Sequence, residues 1–355
     1  MHNPYLPSLD GQILADELDR LKKVNGVKPA GWALTPQAVV WFLKGHPQVE
    51  GFPITPKYIG AQRRTELAVA ALATQRGLLL TGPPGTGKSM MAYFLALAIS
   101  GETDLLIQGT GGTMEEHLRY GWNYALLLNE GPSRQALVPS PVFSAMEKGK
   151  LVRIEELNRM PTDIQDGLLG LLSEKQIAIP EWGTVLKAQP GFNIIATANT
   201  RDAGIYPLSA ALERRFHSVI LPFPSSQEEQ ISILLAHTPP SVQQNWPFST
   251  PLPAVVQQLL RLAEDARPYF YSTQRGKEAG AMDMAQILDS VHHMYACHFT
   301  QPGMSLEAAL AGTLGSLLIK HVPEDLKSWQ LWVQDSLAKQ PAWASFFPYF
   351  SSFQP

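Results

Sequence analysis

One cysteine, Cys297, stands in 355 residues, so no disulfide can form within the chain, and a reducing compartment is expected. A dominant charge is lacking too. Lys and Arg number 28 against 31 Asp and Glu, a formal net charge of −3. That balance excludes a global electrostatic footprint for nucleic acid or anionic lipid, though not a local patch. The longest apolar run, Met90–Ile99, falls far short of a membrane span. No basic stretch followed by an apolar one lies between Met1 and Asp10, so a secretory leader is not expected and a cytoplasmic protein is. Internal repeats and low-complexity tracts are missing as well. What remains is ordinary globular material, 45% hydrophobic and 17% charged, long enough for two or three domains and for a core that needs no staples.

Patterning divides this length into segments. Residues 1–57 read as a helical extension: Leu14, Leu18 and Leu21 recur at helical spacing among Asp16, Glu17, Asp19 and Lys22. Thr35-Pro36 has the chemistry of an N-cap followed by Pro at the first helical position, opening a helix through Leu43. From Tyr58 onward, short apolar runs alternate with helical sequence. Gly77–Thr81, Asp104–Gln108, Leu151–Glu155, Asn193–Thr197 and His217–Leu221 predict five strands of a buried parallel sheet with helical crossovers, an α/β core over 58–224. Past Pro222–Pro224 no strand pattern recurs. Gln227–Ala236, Pro253–Ala266, Ala281–His298 and Leu306–His321 read as amphipathic helices of a lid over 225–322. Residues 323–355 form a C-terminal helix and an aromatic tail, in which Trp343, Phe346, Phe347, Tyr349, Phe350 and Phe353 read as a strap packed on the body rather than an exposed binding segment.

The chemistry begins at Gly82-Pro83-Pro84-Gly85-Thr86-Gly87-Lys88-Ser89. A strand precedes this run and an apolar helix follows it, which is the context a P-loop requires. Its glycines let backbone N–H groups curl around phosphate oxygens, and the helix N-terminus adds its dipole. Lys88 is placed to reach the β- and γ-phosphates and the Ser89 hydroxyl to ligate Mg²⁺. ATP and Mg²⁺ are the cofactors this motif calls for.

A P-loop enzyme also needs a carboxylate near the metal and a group that orients water. At the end of the strand Leu151–Glu155, Glu155 takes the first role and Glu156 the second. Two features are unusual: Arg153 interrupts a strand that should be buried, and the first acid is Glu rather than the shorter Asp. Asn199, just past a strand, can sit beside a γ-phosphate. Arg214-Arg215-Phe216 closes a helix and offers an arginine finger to a neighbouring subunit's nucleotide. Arg275, in the helical half, is a further candidate for a phosphate contact.

The order of these motifs resembles an AAA+ ATPase, and in particular the MoxR branch of the dynein-related subgroup. Glu155-Glu156-Leu157-Asn158-Arg159 is similar to that branch's Asp-Glu-Ile-Asn-Arg. Ala196-Thr197-Ala198-Asn199-Thr200 resembles its sensor 1 strand. Gly204-Ile205-Tyr206-Pro207-Leu208 and Ala211-Leu212-Glu213-Arg214-Arg215-Phe216 resemble its Gly-Thr-Tyr-Pro-Leu and arginine-finger helix. The resemblance implies that Tyr58 and Ile59, before Gly60, pack against adenine. It makes Arg215 the better finger match and Arg275 the sensor 2 residue, although Ser272-Thr273-Gln274-Arg275 departs from the family's Ser-Pro-Arg. It also implies that Thr113–Pro139 and Glu174–Ala188 are hairpins that project toward the pore of a ring. Trp122, Tyr124 and Leu126–Leu128 of the first would then grip a chain or pack on a neighbouring subunit.

By the same resemblance the expected protein is an ATP-hydrolysing homo-oligomer, a hexameric ring. It would remodel or mature a protein client, in company with a von Willebrand factor A-domain partner. A McrB-type NTPase subunit of a nucleic-acid-processing or restriction machine is the alternative; Gly204–Leu208 and the lack of a basic stripe weigh against it. A third reading is a nucleotide-gated scaffold that does not hydrolyse. His292, His293, Cys297 and His298 crowd one helical stretch, but no second pair of metal ligands accompanies them. Trp32 and Trp41 read as core or docking residues.

Overall fold

The computed structural model describes residues 11–60, 62–74, 76–199, 206–224, 226–270, 283–319 and 324–352. Two compact units result, one running through Phe223 and one from Pro224 onward.

In the first unit, α1 (Gly11–Leu21) and α2 (Pro36–Lys44) precede a short antiparallel pair, β1 (His46–Val49) with β2 (Phe52–Ile54). Thr35 starts α2 as its chemistry predicts: Ala38 N donates to its hydroxyl at 3.2 Å, and Pro36 occupies a position that needs no N–H. α1 buries Glu17, whose Oε1 accepts from Thr55 N at 2.9 Å and whose Oε2 pairs with Lys57 Nζ. The Lys57 side chain has 0% exposure and lies over the Phe42 ring. Burial pulls its ammonium below the usual lysine value, and Glu17 opposes that shift.

The core follows with α3 (Gln62–Ala73), β3 (Gly77–Gly82), α4 (Lys88–Ser100) and β4 (Leu106–Gln108). An inserted hairpin comes next: β5 (Tyr120–Trp122), α5 (Tyr124–Glu130) and β6 (Leu137–Pro139). Then come α6 (Pro141–Lys148), β7 (Leu151–Glu155), α7 (Thr162–Asp166) and α8 (Leu168–Ser173). A second hairpin, β8 (Gln176–Ile179) and β9 (Thr184–Lys187), leads to β10 (Asn193–Asn199), α9 (Ala210–Glu213) and β11 (Phe216–Ile220).

Five strands form one parallel sheet in the order β11-β3-β10-β7-β4. This is the sheet the alternating pattern predicts. Its central strands are buried on both faces, which is why they read as near-continuous apolar runs. Boundaries moved for local reasons. β4 begins at Leu106 rather than Asp104, because Leu106 N donates to Asp104 O at 2.9 Å in a turn. β10 runs on to Asn199, where it still pairs with Gly82.

The second unit is helical among the described residues: α10 (Gln227–His237), α11 (Pro240–Gln244), α12 (Leu252–Phe270), α13 (Met284–Thr300), α14 (Leu306–Leu318), α15 (Glu324–Asp335) and α16 (Phe347–Ser352). Trp329, Trp332, Trp343, Phe346 and Phe350 belong to its core, so the aromatic tail is packed as a strap within this unit. Asp265 is held there by Trp332 Nε1 at 2.8 Å, Gln340 Nε2 at 3.1 Å and the Ser336 hydroxyl. Among the described residues no helix is long and apolar enough to cross a membrane. Nor does any group of three or more His, Cys, Asp and Glu assemble there. His293 and Cys297 touch at 3.7 Å, and His293 is bonded to Thr313.

Candidate nucleotide site

β3 delivers its chain to a loop that turns straight into α4. Gly82 has φ of 151°, and a Cβ there would lie 2.2 Å from the Leu221 carbonyl oxygen, so only glycine fits where the last strand passes the loop. Gly87 stands before α4 in a left-handed conformation, φ 76° and ψ 24°. Gly87 has no side chain with which to cap α4, and a helix N-terminus, with the helix dipole behind it, favours an anion.

Lys88 is buried, and its ammonium donates to the carbonyls of Gly82 at 3.0 Å and Pro83 at 2.7 Å. Thr86 Oγ1 donates to Pro83 O at 2.9 Å. Pro84 and Ser89 are exposed, while Pro83 and Gly85 are half-buried. Tyr58 is buried and its hydroxyl donates to Thr86 O at 3.0 Å; Ile59 beside it is half-buried. The Tyr58-Ile59 segment thus touches the loop directly.

One end of the sheet gathers the remaining groups. Gly82 and Asn199 are in register on adjacent parallel strands, and β7 lies on the other side of β10. Glu156 follows β7 in a left-handed conformation, φ 53° and ψ 45°, which a non-glycine residue adopts only when its surroundings impose it. Its N–H donates to Thr197 Oγ1 on β10 at 3.0 Å. Its carboxylate forms an ion pair with Arg159 Nε at 2.6 Å. Asn158 Nδ2 donates to Asn199 O at 2.7 Å, and Asn158 O accepts from Tyr206 N at 2.6 Å. Thr197, Asn158 and Arg159 were given no role by sequence reasoning. Asn158 and Arg159 were visible within the acidic motif, but nothing in spacing says that an amide two residues past an acid will reach another strand.

Glu155 is engaged by its own strand. Arg153 Nη1 donates to Glu155 Oε1 at 2.6 Å, with side-chain exposures of 8% and 13%. Arg153 Nη2 donates to Thr103 O at 2.9 Å, and the guanidinium lies 5.4 Å from the Tyr93 ring centre on α4. Burial pulls the guanidinium below its usual value, opposed by the charge of Glu155. A divalent cation arriving with a nucleotide would find oxygen donors at Ser89 and Glu155, the kind Mg²⁺ takes. The donor set fits in kind.

The arginine candidates part ways. Arg215 Nε donates to Ser173 Oγ at 2.5 Å and Nη1 to Ala211 O at 2.7 Å, whereas Arg214 is exposed. Arg275 lies outside the described residues, as do Thr200, Gly204 and Ile205.

Both predicted hairpins exist, and they touch each other. Tyr120 Oη donates to Glu181 Oε2 at 2.9 Å and Trp122 Nε1 to Glu181 Oε1 at 3.3 Å. The Trp122 and Trp182 rings meet edge to face at 6.1 Å. Trp122 is therefore committed within its own chain. Tyr124 and Leu128, one helical turn apart on α5, are 67% and 87% exposed.

Residues 77–216, from the first core strand to the last, match the AAA domain family, dynein-related subfamily. The uncharacterized protein YehL of Escherichia coli K12 is 36% identical over 350 residues, covering 94% of each chain. The chain belongs to the AAA domain family. An uncharacterized protein of Staphylococcus aureus strain USA300 is 31% identical over 150 residues, 42% of this AAA chain and 56% of that relative. Among solved structures, NtrX from Brucella abortus in complex with ADP is 14% identical, with a TM-score of 0.49 over 82% of this chain and 62% of that one, a likeness too low to carry an argument. The AAA assignment supports nucleotide binding and, in general terms, ATPase activity.

Proposed function

We propose that the chain is a Mg²⁺-dependent ATPase of MoxR-like type whose hydrolysis drives the remodelling or maturation of a protein partner. The observation that carries the reading is the register of Gly82 with Asn199, with Glu156 fastened to the same strand through Thr197. The glycine-rich loop, a polar amide and a carboxylate thereby lie at the carboxyl ends of three adjacent parallel strands, where open α/β sheets bind ligands.

In this reading the N–H groups at the start of α4 and the ammonium of Lys88 hold the phosphates, and Tyr58 and Ile59 receive the base. Bound Mg²⁺, held by Ser89 and Glu155, supplies positive charge to the phosphate oxygens. Glu156 orients and polarises the attacking water, and Asn199, set by Asn158, steadies it beside the γ-phosphate. Arg215, or the exposed Arg214, completes the site of a neighbouring subunit in a homo-oligomeric ring, a hexamer, built by head-to-tail contacts. By the same resemblance Arg275 is the sensor 2 residue. The exposed Tyr124 and Leu128, at the tip of a hairpin tied to the one preceding β10, are the moving surface offered to a protein client. A von Willebrand factor A-domain protein is the accompanying partner by resemblance, and the cytoplasm the compartment.

ATP turnover and nucleotide binding, measured separately, test this. Lys88→Ala should abolish binding, while Glu156→Gln should bind ATP and fail to turn it over. Wild-type turnover by Glu156→Gln would overturn the assignment. Mixing Arg215→Ala with Lys88→Ala subunits should restore part of the activity if the arginine acts across the ring. Stimulation by DNA rather than by a protein retained on the Glu156→Gln variant would favour the McrB-type reading.

A further inference from the structure

We infer that Arg153 is a built-in counter-ion for Glu155, so that a divalent cation arriving with nucleotide has to take that carboxylate away from it. The inference rests on the nucleotide site proposed above. Side chains two apart on a strand share a face, and Arg153 and Glu155 use that geometry to meet at 2.6 Å. The guanidinium is anchored on other sides as well, by Thr103 O and the Tyr93 ring, while its buried Nε has no hydrogen-bond partner. It is therefore a fixed positive charge, and Glu155 is the member of the pair at the open end of the strand.

A buried ion pair gives little net stability over apolar packing, and the neighbouring Leu151, Val152 and Ile154 show that this strand is otherwise built of apolar residues. A structural role thus explains the arginine poorly. A role in holding the acid explains it together with the second anomaly, the extra methylene of Glu over Asp. The longer side chain can lie back along its strand toward Arg153 or extend past the strand end. A cation and a guanidinium cannot both draw on the carboxylate at full strength, since each lowers the charge available to the other. Metal affinity is then set below what Ser89 and a free carboxylate would give, and the pair closes again when the metal leaves.

The test titrates Mn²⁺ into the full chain saturated with ADP, reading free Mn²⁺ by electron paramagnetic resonance. ADP affinity without metal is measured in parallel. Arg153→Met and Arg153→Gln should each bind Mn²⁺ roughly tenfold tighter than wild type, the scale on which groups behind a metal ligand act. Their metal-free ADP affinity should be unchanged. Arg153→Lys, which keeps the charge, should stay close to wild type. Arg153→Gln retains a donor for Thr103 O and secures the experiment if the Met variant does not fold. Mn²⁺ affinity in the neutral variants equal to or weaker than wild type, with ADP binding intact, overturns this inference alone. Failure of the wild-type chain to bind ADP overturns the site reading and the inference with it.

Discussion

Tyr120 donates its phenol to Glu181 at 2.9 Å across 61 residues of sequence, joining the inserted hairpin β5–β6 to the hairpin β8–β9. Trp122 adds a second donor to the same carboxylate, and Trp182 in turn donates to Pro132 O at 2.8 Å. The two segments that the sequence presents as separate interruptions of the core are one connected unit. β8–β9 leads into the start of β10, the strand whose far end is Asn199.

This linkage has a defined pH window. Burial, reinforced by Glu181, pushes the Tyr120 phenol up to about 12. Hydrogen bonds from its own backbone, Tyr120 and Trp122 hold Glu181 below the usual carboxylate value. A lowered acid pKa contributes stability above the unfolded value of about 4.3 and loses it as pH falls through the folded pKa; a raised phenol pKa loses its contribution as pH climbs toward 12. The wild type should therefore show an acid transition in tryptophan fluorescence that Glu181→Ala lacks. The substitution should also speed amide exchange in β5 as well as in β8 and β9. Faster exchange confined to β8 and β9 would show that the hairpins are independent.

The Glu17–Lys57 pair predicts an asymmetric mutational pattern. With side chains 6% and 0% exposed, Glu17→Ala leaves an uncompensated buried ammonium and should cost about 3–5 kcal/mol, whereas replacing both residues by Met should cost far less. Urea denaturation of the single and double variants checks this. Lys57 adjoins Tyr58, so the single variant should also weaken ADP binding, and the double variant should restore it. Equal losses in the single and double variants would remove the pair from the account.

Backbone strain at Glu156 gives a third expectation. At φ 53°, Glu156→Gly should be more stable than Glu156→Ala by about 1 kcal/mol, the reverse of the usual order, because glycine adopts this conformation without the Cβ clash that alanine meets. On the proposed function both variants should also lack turnover. Thermal denaturation of the two side by side decides it, and an alanine variant as stable as the glycine one would show that the conformation relaxes.

Much of the core was legible in the chain itself. Near-continuous apolar runs marked the strands because a parallel sheet buries both of their faces, and the glycines around Lys88 marked the loop because Gly82 and Gly87 adopt positive φ where the strand turns into a helix. Thr35-Pro36 announced α2 through local chemistry that needs no distant partner. Where Glu155 points was not legible: its pairing depends on Thr103 and Tyr93 fixing Arg153, and those residues come from other segments. The same holds for Asn158 on Asn199 and for Tyr120 on Glu181, whose partners lie 41 and 61 residues away. Sequence alone determined the elements and the glycine-rich turn before α4, since periodicity and turn chemistry act within a few residues. Only the tertiary structure decided which polar groups face one another, because the geometry of a hydrogen bond or ion pair is set by the packing of whole strands and helices.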